Sequence, residues 1–224
     1  MNFLRNILLV GLMMAGSTAA QAGIIIGGTR VIFDGSKKEA SLSVNNPDDS
    51  PYLVQSWIDM QSEGGGKVPF IITPPLYRLD KGQKNIERIV LTGTLPQDRE
   101  SLFWLNIKSI PSATTAVNSL QIAVKSRIKL IYRPAGLKRS TPEEQASKLV
   151  WRRVGDRIQV TNPTDYVMNF NEITVGGKQL QNVSWVLPHS TATLPLPSQV
   201  SNGAVVFKII NDYGGAGDAH TASP

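Results

Sequence analysis

The sequence predicts an all-β protein built from two immunoglobulin-like β-sandwich domains, set at an angle with a cleft between them. Short segments rich in β-branched and aromatic residues recur along the chain, and turns rich in Gly, Pro, Asn and Asp separate them. Helical periodicity is nearly absent. The chain has 224 residues and no cysteine. A fold of this size must therefore be stabilised by its hydrophobic cores rather than by disulfides.

Residues 1–22 have the composition of a secretory signal. Arg5 precedes an apolar run over residues 7–15, and small residues stand at Ala20 and Ala22. The run is too short to span a bilayer. We therefore expect cleavage after Ala22, export, and a mature chain with no segment inserted in the membrane.

Seven segments predict the strands of the first sandwich, which we place at residues 23–137. Turn sequences such as Asp34-Gly35-Ser36 and Asn46-Pro47-Asp48 separate them. The spacing is typical of an immunoglobulin-like sandwich. The predicted strands are Ile24–Phe33, Ala40–Asn45, Leu53–Met60, Phe70–Thr73, Asn85–Thr92, Phe103–Ile110 and Leu120–Tyr132.

The stretch Arg133–Gln145 predicts a linker, because it is rich in proline and charge and has little to bury. Beyond it the β pattern resumes, which predicts a second, smaller sandwich at residues 138–224. The Gly-rich tail Gly214–Pro224 predicts a frayed end. The predicted strands of this domain are Lys148–Arg153, Arg157–Thr161, Val167–Val175, Ser184–Leu187, Ala192–Leu194 and Val205–Asn211.

The last predicted strand of the first sandwich combines regular apolar alternation with an unusual number of cations. Its aliphatic side chains fall on one face at the two-residue period of a strand. They are either ordinary core residues, which periodicity alone favours, or side chains lent to another protein whose carboxylate a nearby cation binds. The aliphatic residues are Leu120, Ile122 and Val124, and the cations that follow are Arg127, Lys129 and Arg133.

Charge and missing motifs exclude several function classes. The formal net charge of +6 becomes +5 when Arg5 leaves with the signal. The cations are scattered, which disfavours a nucleic-acid site and favours a mild attraction to acidic partners. His189 and His220 lack metal-ligand spacing, and neither a nucleophile elbow nor a phosphate-binding loop is present. We therefore expect no enzyme, no metal and no cofactor.

The segment Leu95–Pro111, LPQDRESLFWLNIKSIP, resembles the signature of the periplasmic chaperones of the chaperone–usher pathway of pilus assembly (PapD- and FimC-like proteins). The short, cysteine-free stretch from Pro111 to Ser119 resembles the short-loop subfamily. The resemblance covers nearly the whole mature chain. Further matching elements are Thr29–Phe33, Thr73–Pro75, Arg78–Leu79, Ile128–Pro134, Asn162–Thr164 and Ile210–Gly215.

This resemblance implies a chaperone that binds fimbrial (pilus) subunits by donor-strand complementation. Such subunits are immunoglobulin-like sandwiches without their last strand, and the chaperone's strand fills the open groove. The chaperone thereby prevents premature polymerisation and delivers subunits to the outer-membrane usher. The implied residues are Leu120, Ile122 and Val124 as the inserted side chains, Arg30 and Lys129 as anchors of the subunit's C-terminal carboxylate, and Glu100, Arg133 and Asp212 as a charge set linking the domains.

Four points stay open in the sequence. Lys129 has the opposite parity to the inserted residues, so we expect twist or a bulge between them and Lys129. The sequence does not decide the isomer of the bonds at Pro74-Pro75, or whether the free chain associates weakly with itself. The alternative function is a two-domain structural or adhesive component of a surface fibre, although Gly23–Arg30 is short for the N-terminal extension that such a subunit would carry.

Overall fold

A computed structural model describes residues 23–61, 66–112, 120–198, 200 and 203–224, and these residues form two β-sandwiches. The all-β fold class is confirmed. The expected signal segment lies outside the described residues. No helix among the residues that the structure describes is long and apolar enough to cross a bilayer.

The first sandwich packs a four-stranded sheet against a five-stranded sheet. Its strands are β1 (Ile25–Ile26), β2 (Arg30–Asp34), β3 (Glu39–Asn45), β4 (Tyr52–Met60), β5 (Phe70–Thr73), β6 (Leu76–Leu79), β7 (Lys84–Leu91), β8 (Ser101–Pro111) and β9 (Val124–Arg133). The strand orders are β1-β3-β7-β5 and β2-β9-β8-β4-β6. The β2–β9 pair is parallel, whereas the other pairs are antiparallel.

The first predicted strand is in fact two strands that belong to different sheets. The chain leaves the four-stranded sheet after Ile26 and joins the five-stranded sheet at Arg30. Gly27 lies at the crossing, where its amide donates to the Ser43 carbonyl oxygen at 2.8 Å. A Cβ on Gly27 would overlap Ser43 Oγ, so a larger residue here would force the Ser43 hydroxyl to move. The crossing determines where β2 begins.

Aromatic side chains from both sheets form the centre of the first core. Phe70 packs edge-on against Phe33 and Phe103, with ring centroids 5.3 and 5.0 Å apart. Leu130 and Tyr132 of β9 are buried in the same core. Burial of each such side chain contributes roughly 1.5–3 kcal/mol. The C-terminal half of β9 is therefore fixed in the sandwich.

One carboxylate is buried in this core without a cationic partner among the described residues. Glu87 on β7 is 0% exposed. Its Oε1 accepts hydrogen bonds from Ser56 Oγ at 2.6 Å and from the Tyr77 hydroxyl at 2.9 Å. Its Oε2 has no hydrogen-bond partner in the described part of the chain. Burial raises the pKa of Glu87, against the lowering effect of the two hydrogen bonds.

The second sandwich packs a three-stranded sheet, β10-β11-β15, against a sheet in which β13-β12-β16-β17 follow one another and β14 pairs with β12. A short helix, α1, lies in the predicted linker between two 3-10 turns. These elements are the turns Ala135–Leu137 and Ala146–Lys148, α1 (Pro142–Gln145), β10 (Val150–Val154), β11 (Arg157–Asn162), β12 (Met168–Val175), β13 (Lys178–Gln179), β14 (Trp185–Val186), β15 (Ser190–Pro195), β16 (Val205–Ile210) and β17 (Ala216–Ala222).

The expectation of a frayed tail is wrong, because Ala216–Ala222 pairs with β16 as an ordered edge strand. Small and polar residues suffice there, since β17 adds backbone hydrogen bonds to a sheet that other strands anchor. The structure also contains β6, which the sequence pattern did not predict, and a cis peptide bond between Thr73 and Pro74.

Glu87→Gln should change how the stability of the protein depends on pH. A carboxyl group whose pKa is raised by folding stabilises the fold below its unfolded pKa, about 4.3, and loses that contribution as pH rises. The free energy of unfolding of the wild type should therefore fall, relative to that of Glu87→Gln, as pH rises from about 4 towards neutral pH. Urea unfolding across this range measures it. Glu39→Gln, at an exposed position on β3, is the control, and parallel curves for Glu87→Gln and the wild type would contradict the prediction.

Candidate functional site

Arg30 and Lys129 lie side by side where the two sandwiches meet. The parallel pairing of β2 with β9 puts them directly opposite each other, although 99 positions separate them in the sequence (129 − 30). Like charges that face each other across a strand pair are destabilising. This arrangement therefore favours a site for an anion.

Residues of both sandwiches surround the Lys129 ammonium. Its Nζ donates to Asn169 Oδ1 at 2.6 Å and lies 4.7 Å from the ring centroid of Trp185 and 6.0 Å from that of Trp104. Burial, together with the positive charge of Arg30, lowers the pKa of Lys129 to about 8. None of the ion pairs among the described residues includes Lys129. The described groups that contact the ammonium are neutral, and the ammonium can donate a hydrogen bond to a carboxylate.

Arg30 is also without a full set of partners. Its Nη1 donates to the Ile210 carbonyl oxygen at 3.3 Å, while its buried Nε has no hydrogen-bond partner in the described residues. Burial lowers the pKa of Arg30, and the charge of Asp212 opposes that shift. A buried donor without a partner is costly in a folded protein. The Arg30 guanidinium and the Lys129 ammonium can together donate charge-assisted hydrogen bonds to a carboxylate.

A buried ion network joins the two sandwiches beside this pair. Arg133 at the end of β9 donates through Nε to Glu100 Oε1 at 2.6 Å, and through Nη1 and Nη2 to the two carboxylate oxygens of Asp212 at 2.6 and 2.8 Å. Glu100 Oε2 accepts the Val167 N–H at 2.7 Å. Burial disfavours the charge on Arg133, but its bonds to Asp212 and the charge of Glu100 raise its pKa. The predicted charge set is thus brought together across the domain junction.

A small apolar cluster packs beside the network. Leu102 and Ile131 of the first sandwich are buried against Val167 of the second. Trp104 and Trp185 meet edge to face nearby, with ring centroids 5.2 Å apart. Ion pairs and apolar contacts together hold the two sandwiches in one arrangement, and that arrangement brings Asn169 to Lys129.

The N-terminal half of β9 has an open edge. β2 pairs only with Lys129–Arg133, so Val124–Ile128 pairs with β8 on one side and with no described strand on the other. Val124 is 51% exposed, and Leu120 and Ile122, which precede the strand, are 86% and 66% exposed. The alternative that these three are core residues is wrong for this chain. The strand also begins at Val124 rather than at Leu120.

Of the twist or bulge expected between these residues and Lys129, the described ladder, which begins at Val124, contains no bulge. The β8–β9 pairing runs without a register shift from Ser109 and Val124 to Ser101 and Tyr132. Even-numbered residues of β9 therefore share the face that continues into the core of the first sandwich, while Lys129 and the other odd-numbered residues lie on the opposite face, which the second sandwich covers at Ile131 and Arg133. Val124 and Lys129 thus lie on opposite faces of β9, with no irregularity between them.

The chain matches two family domains over most of its length. Residues 23–138 match "Pili and flagellar-assembly chaperone, PapD N-terminal domain", and residues 144–221 match "Pili assembly chaperone PapD, C-terminal domain". Among curated proteins, it is 44% identical to the chaperone protein LpfB of Salmonella typhimurium, over 89% of this chain and 88% of that protein. It is 40% identical to the chaperone protein FimC of Escherichia coli K12, over 93% of this chain and 86% of that protein.

Solved structures give the same result. The SafB chaperone of Salmonella enterica, in complex with the SafA pilin, is similar with a TM-score of 0.83 and 36% identity, and the match covers 92% of this chain and 99% of that one. The E. coli chaperone DraB is similar with a TM-score of 0.80 and 39% identity, and the match covers 90% of this chain and 96% of that one.

Arg133→Met should destabilise the protein more than removal of the whole buried pair does. The single substitution leaves Glu100 buried without its cation, which costs roughly 3–5 kcal/mol. The double variant Glu100→Gln/Arg133→Met removes the fully buried charge and leaves only the more exposed Asp212 without Arg133, so we expect it to recover part of the loss. Urea unfolding of the two variants and the wild type tests the order, and a double variant that is less stable than Arg133→Met would contradict it.

Proposed function

The chain belongs to the PapD family of pilus-assembly chaperones, and from this premise we propose how it holds a pilus subunit. It is a non-enzymatic fimbrial chaperone of the periplasm. The alternative, a structural component of a surface fibre, is wrong, because both domains match chaperones. We propose that the chaperone completes an unfinished subunit with its own residues Leu120, Ile122 and Val124, while Arg30 and Lys129 anchor the subunit's C-terminal carboxylate.

The observation that carries the proposal is the open edge at Val124–Ile128, in line with β2. A strand added there lies on the same side of β9 as β2 and stops where β2 begins, at Arg30. If its carboxyl end reaches Arg30 and Lys129, it runs in the same direction as β2 and is parallel to β9. The position of the cations thus sets both the direction and the end point of the bound strand.

Backbone and side chains have different parts in this complex. Backbone hydrogen bonds along the open edge give affinity for any extended chain, whereas alternate side chains fix the register. Each aliphatic side chain contributes roughly 1.5–3 kcal/mol on burial, before the costs of ordering are subtracted. A charge-assisted bond to the carboxylate contributes roughly 1.5–3 kcal/mol. A subunit capped in this way has no open groove with which to polymerise.

The pilin-bound SafB structure supports the subunit as the partner, since SafB is similar to this chain over nearly its whole length. We further propose that the chaperone hands subunits to an outer-membrane usher. We also propose export by a cleavable signal at residues 1–22, ending at Ala22, and domains at residues 23–137 and 138–224. The family match that begins at residue 23 supports this division.

Arg30→Ala and Lys129→Ala should each weaken subunit capture by about tenfold to a hundredfold, because about 1.5–3 kcal/mol of carboxylate binding is lost. Capture should also weaken as pH rises past about 8, where free Lys129 loses its proton. The measurement is the dissociation constant for the pilus subunit encoded in the same genome.

Two controls accompany the anchor variants. Lys84→Ala removes an exposed cation from the other sheet and should leave capture unchanged. Lys129→Arg keeps the charge at high pH and should flatten the pH dependence. Wild-type affinity in both alanine variants would refute the anchoring role.

Ile122→Asp should weaken capture at least about 30-fold and leave the chaperone folded. The side chain is exposed in the free chain, so the substitution loses about 2 kcal/mol of apolar burial only in the complex. Thermal unfolding and subunit pull-down separate the two effects. The matched control is Ile86→Asp, at an isoleucine 54% exposed on the other sheet. A large loss of melting temperature with capture retained would assign Ile122 to the core.

A further inference from the structure

We propose that the outward face of β8 and β9 is a second docking surface, which binds acidic side chains of the same pilus subunit. The inference rests on the proposed donor-strand function and extends it beyond the carboxylate anchor. The surface, called here the cationic face, consists of Lys108, Lys125 and Arg127 with the rings of Trp57 and Trp104.

The strand register brings these residues together. Lys125 pairs with Lys108, and Arg127 pairs with Asn106, across the β8–β9 ladder. Asn106 in turn pairs with Trp57 on β4. The pairing places all of these residues on the same face of the sheet as Lys129, away from the core of the first sandwich. The cationic face continues the Arg30–Lys129 site along the sheet.

The rings hold the cations without neutralising them. The Arg127 guanidinium lies 4.4 Å from the ring centroid of Trp104, and Lys125 Nζ lies 5.6 Å from that of Trp57. Cation–π contacts position a charge but leave it able to bind an anion. Ion pairs within the described residues include none of the three cations. The carboxylate beside Trp104 on this face, Asp59, accepts a hydrogen bond from the Asn106 amide at 2.9 Å.

The facing pair Lys108 and Lys125 is unfavourable in the free chain, because like charges directly opposite each other in a sheet repel. An acidic partner would convert this repulsion into attraction. The net positive charge of the chain acts in the same direction, since it attracts an acidic surface at long range.

Continuity with the open edge identifies the partner as the subunit. Lys125 and Arg127 belong to the same segment, Val124–Ile128, that presents the unpaired edge. A strand added to that edge carries its outward side chains beside these two cations, within the reach of cross-strand pairing. A flat lipid surface fits less well, because Trp185 of the second sandwich packs against Trp104 at one end of the face.

The test is a double charge reversal, Lys125→Glu/Arg127→Glu, with the matched control Lys84→Glu/Arg88→Glu. The control changes the net charge equally, at two exposed cations on the outward face of the other sheet. Association of the subunit encoded in the same genome is followed by stopped flow at about 0.02 and 0.2 M salt. We expect the association rate of the test variant to fall about tenfold at low salt, with a flatter salt dependence, and that of the control to fall far less.

Further arms keep the result interpretable. Circular dichroism checks whether the charge reversal disturbs the fold. If it does, Lys125→Gln/Arg127→Gln is used instead, and its association rate should fall in the same way but by a smaller factor. Subunit variants in which surface Asp or Glu is replaced by Lys should regain association with the double reversal.

Three results would overturn the proposal. One is an association rate and salt dependence equal to those of the wild type in both the Glu and the Gln variants. If the wild type also captures subunit normally, this result leaves the donor-strand proposal intact. Another is an equal loss of rate in test and control variants. The third is a loss of binding to phosphatidylglycerol vesicles with subunit association unchanged, which would assign the face to lipid. Failure of the wild type itself to capture subunit would overturn the proposed function as well.

Discussion

β9 pairs with β8 along its whole length but with β2 only from Lys129 onward, and the site depends on this incomplete pairing. The cause is the crossing at Gly27, which delivers the chain to the second sheet only at Arg30. The same backbone path leaves one edge of Val124–Ile128 open and puts a cation at the point where the opening ends. The proposed strand addition and the proposed carboxylate binding therefore have a single structural origin.

The junction between the sandwiches gives this edge its chemistry. Arg133 bonds to Glu100 in its own sandwich and to Asp212 in the other, and Glu100 also binds the Val167 amide. Such a buried network stabilises only when every member is present. By fixing how the sandwiches meet, it brings neutral groups to the Lys129 ammonium, and the resulting burial makes that ammonium a better partner for a carboxylate than one in water.

Sequence patterns predicted most strands, because alternation is a local property. The pairing of Arg30 with Lys129 was available only from the resemblance, since no local period encodes contact between distant strands. Periodicity also could not show that Ile122 is exposed, because a strand buried in its own core and a strand that inserts into another protein have the same alternation. Asn169 and the buried Glu87 gave no signal. The helix α1 did give one, since Thr141 and Glu144 form a reciprocal capping box that the linker composition obscured.

The open edge also bears on how copies of this chain behave toward one another. An unpaired strand edge is a template for association between identical molecules. Two copies that joined along Val124–Ile128 would bring Lys125 and Arg127 of one molecule next to the same cations of the other, and such contacts repel. This repulsion would disfavour association between identical copies through the edge, while leaving the edge open to a strand from another protein.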